Sequence, residues 1–61
     1  MSAEQVLRYL QNRRGAWVRR TAIVRATGLS DGDVPSAVNA LSHSHGALTA
    51  GWPGQEEYKL P

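Results

Sequence analysis

Residues 21–46, TAIVRATGLSDGDVPSAVNALSHSHG, carry two helical patterns separated by a short turn. Proline is tolerated in the first turn of a helix but costs about 3 kcal/mol deeper inside it. Pro35 therefore predicts that the second helix begins near Asp33, and the pattern continues to residues 43–45 before Gly46 stops it. Four apolar residues of this helix recur at the spacing of one continuous face, namely Val34, Ala37, Val38 and Leu41.

The first pattern predicts a shorter helix over residues 22–27, with Ile23 turned towards the core and Arg25 towards solvent. Thr21 stands where a side-chain cap would begin such a helix. Gly28 is expected to end it, because glycine readily takes the left-handed conformation that closes helices.

Apolar residues at helical spacing also predict a helix over residues 3–13, with Gly15 as its stop. Residues 16–18 are too few for a helix and are interpreted as a brief extended segment. Trp17 and Val18 are then expected either to fill the core or to pair with a later strand.

Residues 47–51 and 56–60 alternate in the manner of β-strands and flank a Pro-Gly turn, which predicts a β-hairpin. Leu48 and Ala50 are expected to share a face with Tyr58 and Leu60. Trp52 lies at the predicted tip, where it is either an exposed contact residue or packs back on the hairpin.

The predicted fold class is therefore α+β and mainly α, with three helices followed by a two-stranded hairpin. With 61 residues the chain is expected to form one domain over residues 1–61, and its core is marginal at this size. No apolar run approaches the roughly 20 residues that span a bilayer, and residues 1–5 lack the order of a secretory signal. We expect a cytoplasmic protein with no membrane partner.

The order of helix, short strand, helix, turn, helix and hairpin resembles the winged helix-turn-helix family over nearly the whole chain. Residues 21–30, TAIVRATGLS, resemble the entry to the recognition helix in bacterial regulators, and residues 46–48 resemble the step into the wing. The resemblance implies a small DNA-binding regulator of transcription or recombination, of phage, plasmid or bacterial type. Its third helix would enter the major groove, and its wing would follow the backbone or minor groove.

The chain is also weakly similar to the branch of that family that binds Z-form nucleic acid. Pro53 and the closing residues 57–60 carry this similarity. Aligning the apolar stripe, however, puts Pro35 and Asn39 where that branch has an asparagine and a tyrosine. We therefore do not expect recognition of the Z conformation.

The third helix presents Ser36, Asn39 and His43 opposite its apolar stripe. An asparagine amide can pair with both hydrogen-bonding groups of an adenine edge, so Asn39 is the best candidate for base recognition. Ser36 and His43 can donate to bases or phosphates. The alternative is that the three form an ordinary polar helix face.

Charge is unevenly distributed, although the net charge is only +2. Five arginines fall between positions 13 and 25, and every acidic residue lies outside that stretch. Such a cluster attracts phosphates or acidic protein surfaces. The predicted phosphate contacts are Arg19, Arg20, Arg25 and, in the wing, Lys59.

The third helix contains no lysine or arginine, and Asp31 and Asp33 at its start would repel phosphate. A second hypothesis is therefore a protein-interaction module that uses Trp52 and the first helix. Because few basic contacts give weak binding, homodimerisation or tandem sites are expected if the partner is double-stranded DNA.

Catalytic chemistry is not indicated by any motif, so we expect neither an enzyme nor a cofactor. His43 and His45 are the only histidines, and at this spacing they point in different directions on a helix. With no cysteine and no nearby carboxylate to complete a site, we predict no bound metal.

Overall fold

The computed structural model describes the backbone of residues 2–61 and the side chains of residues 3–61. Three helices and three short strands give a mainly helical α+β architecture, which confirms the predicted class at this level. In chain order the elements are α1 (Ser2–Asn12), β1 (Val18–Arg19), α2 (Arg20–Thr27), α3 (Asp33–Ser44), β2 (Leu48–Ala50) and β3 (Glu57–Lys59).

The core lies where α1 crosses α3, with α2 and one sheet face closing its sides. Every residue of the predicted α3 stripe is buried, as the helical spacing required. Outside α3 the largest fully buried side chains are Val6, Leu10, Ile23 and Leu60. Pro35 lies in the first turn of α3, so it removes no helical hydrogen bond.

Helix α2 begins two residues earlier than predicted, at Arg20, and no side chain caps it. Thr21 is therefore a residue of the first turn and not the cap. The reason is tertiary, because the Arg20 backbone N–H donates to the Glu56 carbonyl at 3.1 Å and β1 runs directly into the helix. Gly28 ends α2 as predicted, in a left-handed conformation with φ of 75°.

The sheet has three antiparallel strands in the order β1-β3-β2, which corrects the predicted two-stranded hairpin. The third strand is β1, in which Val18 pairs with Tyr58 and Arg19 pairs with Glu57. A strand of two residues is too short to show an alternating pattern in the sequence. Both expectations for Val18 are confirmed, because it pairs with a later strand and is also buried in the core.

The register of the hairpin differs by one residue from the prediction. Leu48 lies opposite Lys59, and Thr49 lies opposite Tyr58, so Leu48 is on the outer sheet face and is 45% exposed. A shift of one residue moves every side chain of a strand to the other face. The left-handed turn at Gly46 sets this phase, because it turns Ala47 into the core and the next residue outward.

Among residues 2–61 the longest helix, α3, has 12 residues, and none of the helices has the length and apolar character needed to cross a bilayer.

Candidate functional site

Helix α3 exposes the three residues predicted to contact bases. Ser36, Asn39 and His43 are all exposed, because the buried stripe occupies the opposite side of the helix. The Ser36 hydroxyl lies 3.5 Å from the Gly32 carbonyl, a long hydrogen bond that a better acceptor would replace. Within residues 3–61 the Asn39 amide and the His43 ring make no hydrogen bond. They are therefore available to an external partner.

A shallow depression separates this helix face from the hairpin. Pro35, Asn39 and Ser42 line its α3 side, and Thr49 and Glu56 line its hairpin side. The Ser42 hydroxyl donates to the Asn39 carbonyl at 2.6 Å, so Ser42 is satisfied within the helix. The sheet and α3 together thus frame Asn39, with a single carboxylate nearby.

Arg20, a predicted phosphate contact, has its guanidinium engaged within the chain and only 21% exposed. Its Nη2 donates to the Gly54 carbonyl at 3.1 Å. The guanidinium also lies 3.3 Å from a Glu56 carboxylate oxygen and 3.7 Å from an Asp31 oxygen. Neither ion pair has hydrogen-bond geometry, so both act through charge. Arg20 therefore joins the start of α2, the α2–α3 turn and the hairpin loop.

Glu56 is the carboxylate most affected by these contacts. Backbone N–H groups at Glu56 and Gly54 lower the pKa of its carboxyl, and the Arg20 charge lowers it further, while partial burial opposes the shift. Burial raises the pKa of the neighbouring Tyr58 phenol, and the Glu56 charge adds to that shift. The hairpin is therefore most stable when the Glu56 carboxyl is ionised and the Tyr58 phenol is neutral.

We expect the free energy of unfolding to fall with acidification because of Glu56. A carboxyl with a lowered pKa contributes stability above its unfolded value, and that contribution is lost as the pH falls through the folded value. Urea unfolding at a series of pH values below 5 should show a shallower decline in Glu56→Gln than in the native chain. The matched control is Glu57→Gln, whose partner Arg19 is exposed. If both variants decline alike, the backbone N–H groups and the Arg20 charge do not stabilise the Glu56 carboxylate in the folded chain.

The other predicted phosphate contacts lie in different places. The Arg19 side chain is 79% exposed, with Nε 3.8 Å from a Glu57 carboxylate oxygen. Arg25 is exposed on α2. The Lys59 ammonium lies 4.9 Å from the centre of the Trp17 ring, a cation–π contact. Arg19 and Arg25 therefore remain accessible to a ligand, whereas Lys59 has a partner within the chain.

A groove lined by four arginines runs between the end of α1, β1 and α2. We call it the arginine groove, and no aspartate or glutamate lines it. Its charged and aromatic residues are Tyr9, Arg13, Arg14, Trp17, Arg19 and Arg25. The clustering of arginines in the sequence indicated this charge, but it did not single out Arg13 or Arg14 as site residues, or show that two aromatic rings lie among them.

The β2–β3 loop carries Trp52, which is 79% exposed and does not pack back on the hairpin. A second depression connects this loop to the start of α2, and Arg19 and Thr21 line both it and the arginine groove. The loop and the groove are therefore parts of one continuous surface.

The histidines occupy the end of α3 and the residue after it. His45 Nδ1 is hydrogen-bonded with the Ser44 hydroxyl at 2.7 Å, which leaves it tied to the helix end. In the described part of the chain no group of three or more potential metal ligands comes together.

No protein-family model matches the chain, and searches of curated proteins and solved structures found no significant match.

Proposed function

We propose that the protein binds double-stranded DNA as a small winged-helix regulator, with α3 in the major groove and the β2–β3 loop along the backbone. The observation that carries the proposal is the exposed face of α3, where Asn39 presents an amide without a partner among the described residues. Such an amide can pair with an adenine edge without breaking a hydrogen bond within the described chain. The order of helices and strands, which is the order in the winged-helix resemblance, supports the same assignment.

Carboxylates near α3 would repel DNA phosphates, and the contacts of Arg20 reduce this repulsion. Asp31 and Glu56 flank the α3 face and would repel phosphate, but both lie beside the Arg20 guanidinium. The single guanidinium therefore offsets about one of these two negative charges before any ligand approaches. Arg19 and Arg25 supply the phosphate contacts. With so few of them we expect weak binding that falls steeply as salt is added.

Replacement of Asn39 by alanine tests base recognition directly. We expect a duplex enriched from a random pool to bind Asn39→Ala about 5- to 150-fold more weakly, since one bidentate contact is worth roughly 1–3 kcal/mol of discrimination. A scrambled duplex should bind both proteins alike, as measured by fluorescence anisotropy at two salt concentrations. Ser42→Ala is the matched control, because its hydroxyl is already bonded to the helix. The proposal fails if no duplex binds at low salt, or if Asn39→Ala weakens both duplexes equally.

Removal of the uncompensated charge at the start of α3 should strengthen binding. Asp33 is exposed and makes no ion pair among the described residues. We expect Asp33→Asn to raise duplex affinity about threefold at low salt, with the gain disappearing at high salt as screening increases. Glu4→Gln, which neutralises an exposed carboxylate on α1, is the control and should have less effect. Equal gains for the two variants would place the DNA elsewhere.

A second candidate function is protein binding through the β2–β3 loop, which includes self-association. The exposed Trp52 favours it, because large aromatic residues in central positions dominate many protein interfaces. Sedimentation of the native chain and of Trp52→Ala over a range of concentrations tests whether this loop mediates self-association. Concentration-dependent dimers that Trp52→Ala abolishes would support this candidate, and monomers throughout would exclude self-association.

A further inference from the structure

We propose that the arginine groove is a binding site for single-stranded nucleic acid, centred on Arg13, Arg14 and Trp17. This inference goes beyond the proposed binding of duplex DNA and does not depend on it, although Arg19 and Arg25 line the groove and are also the proposed duplex phosphate contacts. It rests on the charge of the groove and on the aromatic rings within it.

The charge of the groove suits a polyanion. Four guanidinium groups line it without a carboxylate among the lining residues, and three of them, Arg13, Arg14 and Arg25, make no ion pair within residues 3–61. The fourth, Arg19, has one exposed carboxylate partner at 3.8 Å, which lies outside the groove. An exposed pair of this kind is worth little and is readily exchanged for a phosphate.

The aromatic rings indicate a ligand with accessible bases. Tyr9 and Trp17 lie among the arginines, and Trp17 is 43% exposed despite its size. The Arg13 guanidinium lies 4.8 Å from the Tyr9 ring centre, and Lys59 covers Trp17 at 4.9 Å, so cations hold both rings at the groove. Grooves that combine basic residues with exposed rings bind single strands, because each base can stack on an aromatic face.

The aromatic rings favour a single strand over a duplex. They lie among side chains from the end of α1, the α1–β1 loop, β1 and α2. A duplex hides the faces of its bases and could offer these rings nothing to stack on. An acidic peptide would satisfy the arginines, and it is therefore a competitor to be tested.

The first experiment uses a labelled oligothymidine of about 12 nucleotides, which cannot pair with itself. In a Trp52→Phe background Trp17 is the remaining tryptophan, and we expect the oligonucleotide to quench its fluorescence. Arg14→Ala should weaken binding about fivefold at low salt and reduce the salt slope by about 0.7, the value for one phosphate contact on a single strand. Arg8→Ala removes the same charge from α1 outside the groove and should change affinity less than twofold.

The second experiment removes the ring. Trp17→Leu keeps an apolar side chain and should weaken oligothymidine binding about tenfold, with circular dichroism showing that the variant remains folded. Unchanged affinity in the folded variant would overturn the proposal. So would equal losses for Arg14→Ala and Arg8→Ala, absence of quenching, or displacement by polyglutamate as efficient as displacement by unlabelled oligothymidine.

Duplex binding by α3 and single-strand binding by the arginine groove can be tested independently. Asn39→Ala should leave oligothymidine binding unchanged, because Asn39 does not line the groove. Oligothymidine binding without any duplex binding would support the groove site and reject the α3 site. Duplex binding without oligothymidine binding would do the reverse.

Discussion

Leu41→Ala is expected to lower the free energy of unfolding by about 2–5 kcal/mol, which is the range for removing a buried leucine side chain. Leu41 is buried in the stripe that α3 turns towards the core. A chain of 61 residues has a total stability of only roughly 3–9 kcal/mol. The loss is therefore a large fraction of the total stability, and the midpoints of thermal and urea unfolding, followed by circular dichroism, should fall sharply.

Leu48→Ala is the control for that experiment and a test of the sheet register. Leu48 lies on the outer face opposite Lys59, so its truncation should cost less than about 1 kcal/mol. In the register expected from sequence, Leu48 would face the core beside Tyr58, and its loss would cost as much as that of Leu41. Similar large losses in the two variants would therefore contradict the observed pairing.

Arg20→Ala is expected to lower the free energy of unfolding by about 1–3 kcal/mol. The substitution removes a hydrogen bond to the Gly54 carbonyl and leaves Glu56, a half-buried carboxylate, without its counter-charge. Polarised fluorescence of Trp52 should show a more mobile hairpin loop, because Arg20 ties that loop to α2. Urea unfolding provides the free energy.

Arg19→Ala is the matched control, since it removes the same side chain from the adjacent position. Its side chain is exposed and its ion pair is long, so we expect a change of less than about 0.5 kcal/mol. For the proposed DNA binding, measured at low temperature, we expect the opposite ranking of the two variants. Arg19→Ala should weaken affinity more than Arg20→Ala. Equal loss of stability in the two variants would show that the contacts of Arg20 do not hold the fold.

Local patterns were sufficient to predict the helices. The α3 stripe, Pro35 in its first turn and Gly28 at the end of α2 all depend on residues within a few positions of one another, and each is confirmed. Burial of one helix face is the main source of helix stability in a small domain, and the spacing of apolar residues reveals that face directly.

Contacts between distant parts of the chain were not predictable in the same way. Arg20 and Gly54 are 34 positions apart, and nothing near either residue indicates that they meet. The N–H of Arg20 is likewise bonded across the sheet, which is why α2 begins before the residue that looked like its cap. Leu48 faces outward because Ala47, directly after the left-handed Gly46, is the residue that enters the core.

In the candidate site, too, features set by neighbouring residues were predictable, and features set by distant contacts were not. The exposure of Ser36, Asn39 and His43 followed from the stripe on the opposite side of α3 and is confirmed. The clustering of arginines was visible in the sequence, but which of them are free was not. The Arg20 side chain is paired within the chain and the Arg25 side chain is exposed, although both residues lie on the same short helix. Only the packing of the hairpin against α2 makes that distinction.

The central position of β3 in the sheet has a consequence for how the chain is made. Val18 of β1 and Thr49 of β2 both pair with Tyr58, so neither strand has a neighbour until residues 57–59 have been synthesised. Leu60, which is fully buried, joins the core in the same step. A chain without these residues therefore leaves the sheet side of the helical core uncovered, which makes it a target for chaperones and proteases.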